Sequence, residues 1–312
     1  MPTITLPYKT DPTAGTPISA HIQYAPASTP TPKPIILIFH AGGFAGGSVS
    51  LIPPAETTHL IETLGAIAVA VEYRLCPQVS LLEGPISDAR DSLAWARTTL
   101  PSALRAATNG SVLADPARVA AMGHSAGGML ALELGNAADP PDAILDLYGI
   151  KYLATTPFWT QPFAAFAPLP DPSPDFMDRA YQGPVPLAAG ELFVDGAPAL
   201  GVPRTAWMIH AIKHGALYAK ELKEEDGVLE VEPTRGFGAK WPPTCFVHGT
   251  ADVFAPVEVA ERAERELRQE GAEVELVRVE GAAHMFDIGL GPGDEAFDGP
   301  VVRALEWLVS RI

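Results

Sequence analysis

One short stretch, RVAAMGHSAGGMLALELGN at residues 118–136, constrains the fold more than any other part of the chain. Its first six residues are typical of a buried strand, and residues 128–136 are predicted to form a helix. Between them stands Ser125, flanked by Gly123 and Gly127. A glycine inside a helix costs about 1 kcal/mol relative to alanine, so this spacing indicates a tight turn. In a strand–turn–helix context, G-x-S-x-G predicts a nucleophile elbow, which holds a serine hydroxyl clear of the sheet.

The rest of the chain alternates apolar runs with helical patterns. Runs typical of buried strands stand at 35–39, 66–73, 118–123, 143–149, 244–249 and 273–281, after two edge strands at 4–8 and 18–24. Helices are predicted at 54–64, 87–100, 128–136, 256–271 and 299–312. Such alternation is typical of a mostly parallel central sheet flanked by helices on both sides. We therefore predict an α/β fold.

Residues 150–240 interrupt this alternation with a stretch that is too long for a simple loop. The stretch is rich in proline and in aromatic residues, among them Phe158, Trp159, Phe163, Phe166, Phe176, Tyr181, Phe193, Trp207 and Tyr218. We predict that it forms a helical cap (lid) insertion over the sheet edge, with residues 1–149 and 241–312 forming the core. A second structural domain without a role at the site is the alternative.

Two residues later in the chain can complete the chemistry of Ser125. A serine hydroxyl needs a base to take its proton, and that base needs a carboxylate to orient it. Asp252 follows the strand at 244–249, and His284 follows the strand at 273–281. The order Ser, Asp, His, with each residue after its own strand, is the order expected for this architecture. We therefore predict these three residues as a catalytic triad.

The glycine-rich stretch FHAGGFAGGS at 39–48 is predicted to supply an oxyanion hole. The backbone N–H groups of Gly42 and Gly43 can face the site because no side chain blocks them, and the N–H of Ala126 adds a further donor. His40 is predicted to brace this loop without reacting. A phosphate cradle is excluded because no Lys-Ser/Thr pair follows the glycines and no G-x-G-x-x-G opens a helix.

These motifs together resemble the α/β-hydrolase superfamily, and most closely the hormone-sensitive-lipase-like esterases and the kynurenine-formamidase-type hydrolases. The resemblance covers nearly the whole chain outside the insertion and is carried by HAGGF (40–44), VEYRLCP (71–77), GHSAGG (123–128), HGTAD (248–252) and His284. It implies that Ser125 is the nucleophile, His284 the general base and acid, and Asp252 its orienter. It also implies the oxyanion hole of Gly42, Gly43 and Ala126.

The chain departs from the family pattern at several positions. Ala41 stands where the family usually has the first of three glycines, a position that is not the principal donor. His124 stands where the lipase-like group commonly has an aspartate before the nucleophile. Glu72-Tyr73-Arg74 replaces the usual Asp-Tyr-Arg. The departure at His124 favours the broader set of esterases.

The sequence predicts a serine hydrolase that cleaves a carboxylic ester, lactone or thioester of an apolar small molecule. Three alternatives stay open. The first is cleavage of an amide or formamide. The second is a non-hydrolytic reaction of a secondary metabolite (acyl transfer, cyclisation, dehydration or isomerisation), and the third is a ligand receptor on this fold. Aromatic residues in the insertion indicate an aromatic or polyketide-like group. The predicted pocket residues are Phe44, His124, Phe163, Phe166, Phe193, Trp207 and Met285.

Net charge and composition limit the kinds of partner that the chain can bind. The formal net charge of −16, from 21 Lys and Arg against 37 Asp and Glu, disfavours nucleic acid and anionic membranes. No run of eighteen apolar residues and no signal-peptide pattern occurs, so we expect no membrane span and a cytoplasmic location. We predict no cofactor, and both monomer and homodimer stay open. His210 and His214 are four residues apart, but without an evident third ligand we predict no metal.

Overall fold

The computed structural model describes residues 1–26, 30–190, 192–194, 196–217, 220 and 228–312, and of residues 157, 158, 228 and 229 the backbone only. Of the aromatic residues in the insertion, Tyr218 and the side chain of Phe158 therefore lie outside the described part of the chain. The strands, in chain order, are β1 (Thr3–Thr10), β2 (Pro17–Gln23), β3 (Pro32–Phe39), β4 (Ile67–Val71), β5 (Leu113–His124), β6 (Ala143–Leu147), β7 (Phe193–Val194), β8 (Ala197–Pro198), β9 (Thr244–Gly249) and β10 (Val274–Val279).

The central sheet has the strand order β1-β2-β4-β3-β5-β6-β9-β10. The strands from β4 to β10 in this order pair in parallel, whereas β2 pairs antiparallel with both β1 and β4. Strands β7 and β8 form a separate antiparallel hairpin. The predicted α/β fold with a mostly parallel central sheet is therefore confirmed.

Helices lie between the parallel strands, and one further helix follows the last strand. They are α1 (Pro54–Thr58), α2 (Ser87–Thr98), α3 (Leu100–Ala107), α4 (Ala126–Glu133), α5 (Pro157–Thr160), α6 (Pro174–Met177), α7 (Pro203–Lys213), α8 (Val228–Val231), α9 (Val257–Gln269) and α10 (Val302–Val309). Wider π-helical turns lie at His59–Thr63, Leu82–Ile86 and Phe297–Val301. Tighter 3₁₀ turns lie at Val49–Leu51, Leu134–Asn136, Ala164–Phe166, Asp178–Tyr181 and Pro233–Gly236.

Both faces of the central sheet are buried. On β3, Ile35 and Leu37 pack into a core that includes buried residues of α2 and α4. Ile36 and Ile38 of the same strand pack into a second core that includes residues of α10. Strands that are covered on both faces read as continuous apolar runs, which is why the sequence IILIF marks a strand without alternating polar residues.

A divided helix and a lengthened strand are two of the differences between the structure and the sequence prediction. The helix predicted at 87–100 ends at Thr98, and a separate helix, α3, begins at Leu100 with Pro101 in its first turn. Proline fits this position because its missing N–H needs no partner there. Strand β5 begins at Leu113, five residues before the predicted start, because its first residues pair with the start of β3 across a register shift.

Helix α7 is attached to the core through a buried arginine. The guanidinium of Arg204 donates to the carbonyl oxygens of Cys76 and Ala180 and to the amide oxygen of Gln78. Burial lowers the pKa of Arg204 to about 10, which leaves the group charged at neutral pH. These contacts join α7 to the loop that follows β4.

A second buried arginine joins the sheet to α2. Arg74, which follows β4, donates from its side chain to both carboxylate oxygens of Asp88, at 2.7 to 3.2 Å. Lys9 of β1 lies 2.7 Å from the same carboxylate and 2.5 Å from Asp91.

Among the described residues, no helix combines the length and the apolar character needed to cross a bilayer.

Replacing Asp88 with asparagine is expected to lower the free energy of unfolding by about 3–5 kcal/mol, because Arg74 then stays buried without a charged partner. Urea denaturation followed by circular dichroism measures this change. The matched control is Asp91→Asn, since Asp91 also pairs with Lys9 but is 50% exposed. Its expected effect is within about 1 kcal/mol. Equal effects of the two substitutions would contradict the structural importance of the buried pair.

Candidate active site

Ser125 stands at a sharp turn between β5 and α4. Its φ angle of 55° lies in the left-handed region, which is strained for a residue with a side chain. A Cβ at Gly123 would lie 2.1 Å from the carbonyl oxygen of Gly127, and a Cβ at Gly127 would lie 2.1 Å from that of Phe39. The backbone N–H of Ser125 donates to Leu147 at 2.9 Å, which ties the turn to β6. The turn thus requires the two glycines that the sequence places there.

The structure brings together the three residues predicted as a triad. The Nε2 atom of His284 lies 2.9 Å from the Oγ of Ser125. The Nδ1 atom of the same ring lies 2.6 Å from Oδ2 of Asp252. An N–H at Nδ1 donates to the carboxylate, which leaves Nε2 free to accept the proton of the serine hydroxyl.

The carboxylate of Asp252 is buried and held in place. Its Oδ1 accepts hydrogen bonds from the backbone N–H groups of Phe254 and Ala255, each at 2.9 Å. Burial alone would raise the pKa of Asp252, but hydrogen bonds from His248 and His284 outweigh it and hold the pKa below its ordinary value. Asp252 therefore stays ionised and can stabilise a charged imidazole.

The predicted oxyanion-hole residues lie beside the serine. Gly42 and Gly43 line the same cavity as Ser125, and their φ angles of 139° and 57° are conformations that glycine adopts without strain. A Cβ at Gly42 would lie 2.1 Å from the carbonyl oxygen of Gly46. Ala126 is the first residue of α4, so its N–H has no acceptor within the helix. Gly42 and Gly43 thus share a cavity with Ser125, and Ala126 directly follows it, while their action as an oxyanion hole stays a prediction.

His40 lies behind the glycine loop and is fully buried. Burial lowers the pKa of His40 to about 4, so the ring is neutral at physiological pH. Its Nδ1 donates to the carbonyl oxygen of Ala41 at 2.7 Å, and the ring stacks on Tyr73 with 4.3 Å between centroids. Tyr73 also donates to the carbonyl oxygen of His40. These contacts fit the bracing role predicted for His40.

A cavity of about 420 Å³ opens above Ser125 and His284. Of the predicted pocket residues, Phe166, Phe193 and Met285 line it. The other apolar lining residues, which the sequence analysis did not assign, are Ile150, Trp159, Leu192, Met208, Ile209, Ile212, Leu217, Phe254, Ala255 and Ile288. Met208, Ile209 and Ile212 share one face of α7, and their spacing is the one signal that could have found them.

Four predicted pocket residues lie outside the cavity lining, which corrects the sequence prediction. Phe44 is fully buried behind Trp159, with 6.1 Å between ring centroids. Phe163 packs on the outer side of Phe166 and Phe254. Trp207 is 2% exposed. Its indole donates to the hydroxyl of Tyr181.

The fourth of these residues, His124, lies beneath the elbow and not in the pocket. Its Nε2 lies 2.9 Å from Oε2 of Glu56 and 3.3 Å from Oδ2 of Asp287. Burial opposes the charged imidazole, but the attraction of Glu56 outweighs it and raises the pKa of His124 to about 10. Burial also raises the pKa of Glu56, to about 7, against the opposing attraction of the charged His124 ring.

His210 of α7 and His214, which directly follows α7, both contact Asp171 on the surface. His210 and His214 lie 3.1 and 3.0 Å from the same carboxylate oxygen of Asp171, a residue that the sequence analysis did not pair with them. The ammonium group of Lys213 lies 3.0 Å from that oxygen too. A cation of the chain thus already neutralises the carboxylate, and the group forms an ion cluster that joins α7 to the segment before α6.

Comparison with known proteins finds one matching family, relatives in sequence that are named as synthases, and solved structures of an esterase. The sequence profile of the alpha/beta hydrolase fold matches residues 36–288. The chain is 33% identical to the non-reducing polyketide synthase ausA of Aspergillus calidoustus, with 96% of this chain and 14% of that protein aligned. It is 29% identical to methylphloroacetophenone synthase of Cladonia uncialis, with 87% of this chain and 12% of that protein aligned. The chain thus spans only a small part of the length of these relatives.

Among solved structures, esterase 2 of Thermogutta terrifontis has the same fold. Its native form matches with a TM-score of 0.61 and 22% identity over 99% of this chain and 92% of that chain. The form phosphorylated by paraoxon matches with a TM-score of 0.60 and 19% identity over 98% of this chain and 91% of that chain.

Replacing Gly127 with alanine is expected to abolish soluble, folded protein, because the new Cβ would overlap the backbone of β3. The matched control is Gly201→Ala, since nothing lies within 4 Å of the Cβ position there. Size-exclusion chromatography and thermal unfolding compare the two variants. A soluble Gly127→Ala variant with the melting temperature of the wild type would contradict the tight packing of the turn.

The raised pKa of His124 predicts a stability contribution that depends on pH. A group whose pKa is raised on folding stabilises the fold fully below its ordinary value of 6.5, and this contribution is lost as the pH rises through about 10. The difference in free energy of unfolding between the wild type and His124→Gln is therefore expected to shrink from pH 7 to pH 10. Urea denaturation at several pH values measures it, and a constant or growing difference would contradict the charged state of His124.

Proposed function

Because the chain belongs to the α/β-hydrolase-fold family, we propose that it is a serine hydrolase that cleaves a carboxylic ester, lactone or thioester of an apolar small molecule. The observation that carries this proposal is the chain of hydrogen bonds from Ser125 through His284 to Asp252. The hydroxyl at the start of this chain opens into a cavity large enough for a small acyl group.

The geometry supports a two-step reaction. In the first step, Oγ of Ser125 attacks the carbonyl carbon and its proton moves to Nε2 of His284. The resulting oxyanion accepts hydrogen bonds from the N–H groups of Gly43 and Ala126. The tetrahedral intermediate then collapses, and the leaving alcohol or thiol takes the proton from His284, which leaves an acyl group on Ser125.

In the second step, water attacks the acyl-enzyme. His284 takes a proton from the water, the new oxyanion occupies the same backbone donors, and the acid leaves as Ser125 recovers its proton. Asp252 supports both steps because its ionised carboxylate holds Nδ1–H and stabilises the imidazolium as it forms.

The cavity favours an uncharged, apolar acyl group. The polar side chains among its lining residues are Ser125 and His284, and the rest of the lining is aliphatic, aromatic or glycine. A charged acyl group would lose its hydration there without a compensating partner. Relatives named as polyketide synthases favour an acyl group of polyketide origin. In this proposal, residues 150–240 act as the cap, since they supply Trp159, Phe166 and one face of α7 to the cavity wall.

A second candidate function is acyl transfer or cyclisation on the same serine. It is supported by the likeness to enzymes named for synthesis, namely polyketide synthases and methylphloroacetophenone synthase. In this reaction an alcohol or an enol of the substrate replaces water as the nucleophile in the second step. His284 serves equally well as the base, so the chemistry of the first step is unchanged.

Replacing Ser125 with alanine is expected to lower kcat for p-nitrophenyl butyrate by roughly 10⁴-fold or more, because no acyl-enzyme can form. The same variant is expected to lose labelling by a fluorophosphonate. The esterase with the same fold is phosphorylated by paraoxon, which makes an organophosphorus probe suitable. The control is Ser102→Ala, an exposed serine on α3, which is expected to behave as wild type.

The outcomes of this experiment separate the two candidates. Labelling that persists in Ser125→Ala would contradict both of them. When the wild type is labelled, product analysis with added 1-butanol decides between them. Butyric acid as the main product supports hydrolysis, and butyl butyrate as the main product supports acyl transfer.

A further inference from the structure

A cluster of four buried polar side chains lies beneath the active site and takes no part in the reaction described above. Its members, Glu56, His124, Tyr148 and Asp287, are each at most 2% exposed. They come from four separate segments: α1, the end of β5, the residue after β6, and the loop after β10. Buried charges in such a number are unfavourable unless they are paired, so their presence calls for a reason.

Hydrogen bonds and ion pairs connect these side chains into one network. His124 bridges the carboxylates of Glu56 and Asp287, at 2.9 and 3.3 Å. The hydroxyl of Tyr148 donates to Oδ1 of Asp287 at 2.5 Å. Asp287 is thus held by His124 and by Tyr148.

The network is linked to both Ser125 and His284, the two residues between which the proton moves in the proposed reaction. His124 directly precedes Ser125, and Asp287 lies three residues after His284 on the same loop. The ring of Tyr148 meets the ring of His284 edge to face, with 5.0 Å between centroids. Each link runs to the backbone or the ring of a reacting residue and not to a reacting atom.

Strained backbone accompanies the network at both ends. Tyr148 has a φ angle of 43° and Met285 one of 59°, both in the left-handed region and both without a glycine. Such conformations persist only where surrounding contacts enforce them. The hydrogen bond of Tyr148 to Asp287 is such a contact, and it joins the two strained segments.

We infer that the Glu56–His124–Asp287–Tyr148 network is a positioning device that holds the loop of His284 against the turn of Ser125, so that Nε2 stays within reach of the serine hydroxyl. This inference rests on the proposed function. Asp287 and Tyr148 are its positioning residues for His284, and His124 attaches them to the turn. The cavity lining includes none of these four side chains, all of which lie in the described part of the chain, so the network acts on the rate of proton transfer and not on substrate binding.

The test uses two substitutions that keep the shape of the network and remove one interaction each. Tyr148→Phe keeps the ring against His284 and removes the hydroxyl, whereas Asp287→Asn removes the charge. Both are expected to lower kcat for p-nitrophenyl butyrate roughly ten-fold to a hundred-fold with little change in KM, since small misplacement of a catalytic group has effects of this size. The rate of inactivation by a fluorophosphonate is expected to fall by the same factor, because it needs the same proton transfer.

The matched control is Tyr8→Phe, which removes a hydroxyl hydrogen bond to the carbonyl oxygen of Glu72, far from the site. It is expected to lower the melting temperature about as much as Tyr148→Phe while leaving kcat unchanged. The double variant of Tyr148→Phe and Asp287→Asn is expected to lower kcat by less than the product of the two single effects, because Tyr148 acts on the loop of His284 through Asp287.

Three results would overturn the inference. The first is a kcat of Tyr148→Phe within two-fold of wild type and of Tyr8→Phe. The second is a rise in KM at unchanged kcat, which would assign the network to the shape of the pocket. The third is full additivity in the double variant. A wild type that does not react with the fluorophosphonate would instead contradict the proposed function. If Asp287→Asn does not fold, Tyr148→Phe and its control decide the question alone.

Discussion

The close contact between the elbow and the strands on either side of it determines the geometry of the whole site. Ser125 adopts a left-handed backbone that costs on the order of 1–3 kcal/mol, and this strain persists only because the surroundings enforce it. The enforcing contacts are backbone against backbone, at Gly123 and Gly127, so no rearrangement of side chains can relax them. The hydroxyl is therefore presented at the sheet edge by the fold itself, before any substrate arrives.

The parallel direction of the strands brings the other groups to the same place. Strands β3, β5, β9 and β10 all end at one edge of the sheet, and each is followed by a loop that carries one part of the site. This explains how residues that are 159 positions apart come within hydrogen-bonding distance. It also explains why the sequence sufficed to predict that Ser125, Asp252 and His284 would meet. Their residue types and their places after buried strands determine where they lie.

Other parts of the structure left no such pattern in the sequence. An aromatic residue such as Trp207 predicts burial, but the core of the insertion and the wall of a pocket are built from the same residue types. Only the orientation of α7 decides that Met208 faces the cavity while Trp207 turns away. The buried network shows the same limit, because Glu56 and Asp287 stand 231 positions apart without any spacing rule. In the sequence, each of the two is typical of a surface carboxylate. Only the packing of α1 and of the loop after β10 against His124 brings them together.

The attachment of α7 positions one wall of the cavity. Arg204 keeps its charge while buried, and the carbonyl oxygens of Cys76 and Ala180 compensate for the lost hydration. Moving α7 away from the core would leave the guanidinium and these acceptors without partners, which is strongly unfavourable. The face of α7 that lines the cavity is therefore positioned by the fold, as the serine is. Under the proposed function, a wall of this kind, apolar and held in place, discriminates between acyl groups by size and shape, because it offers no charge with which to distinguish them.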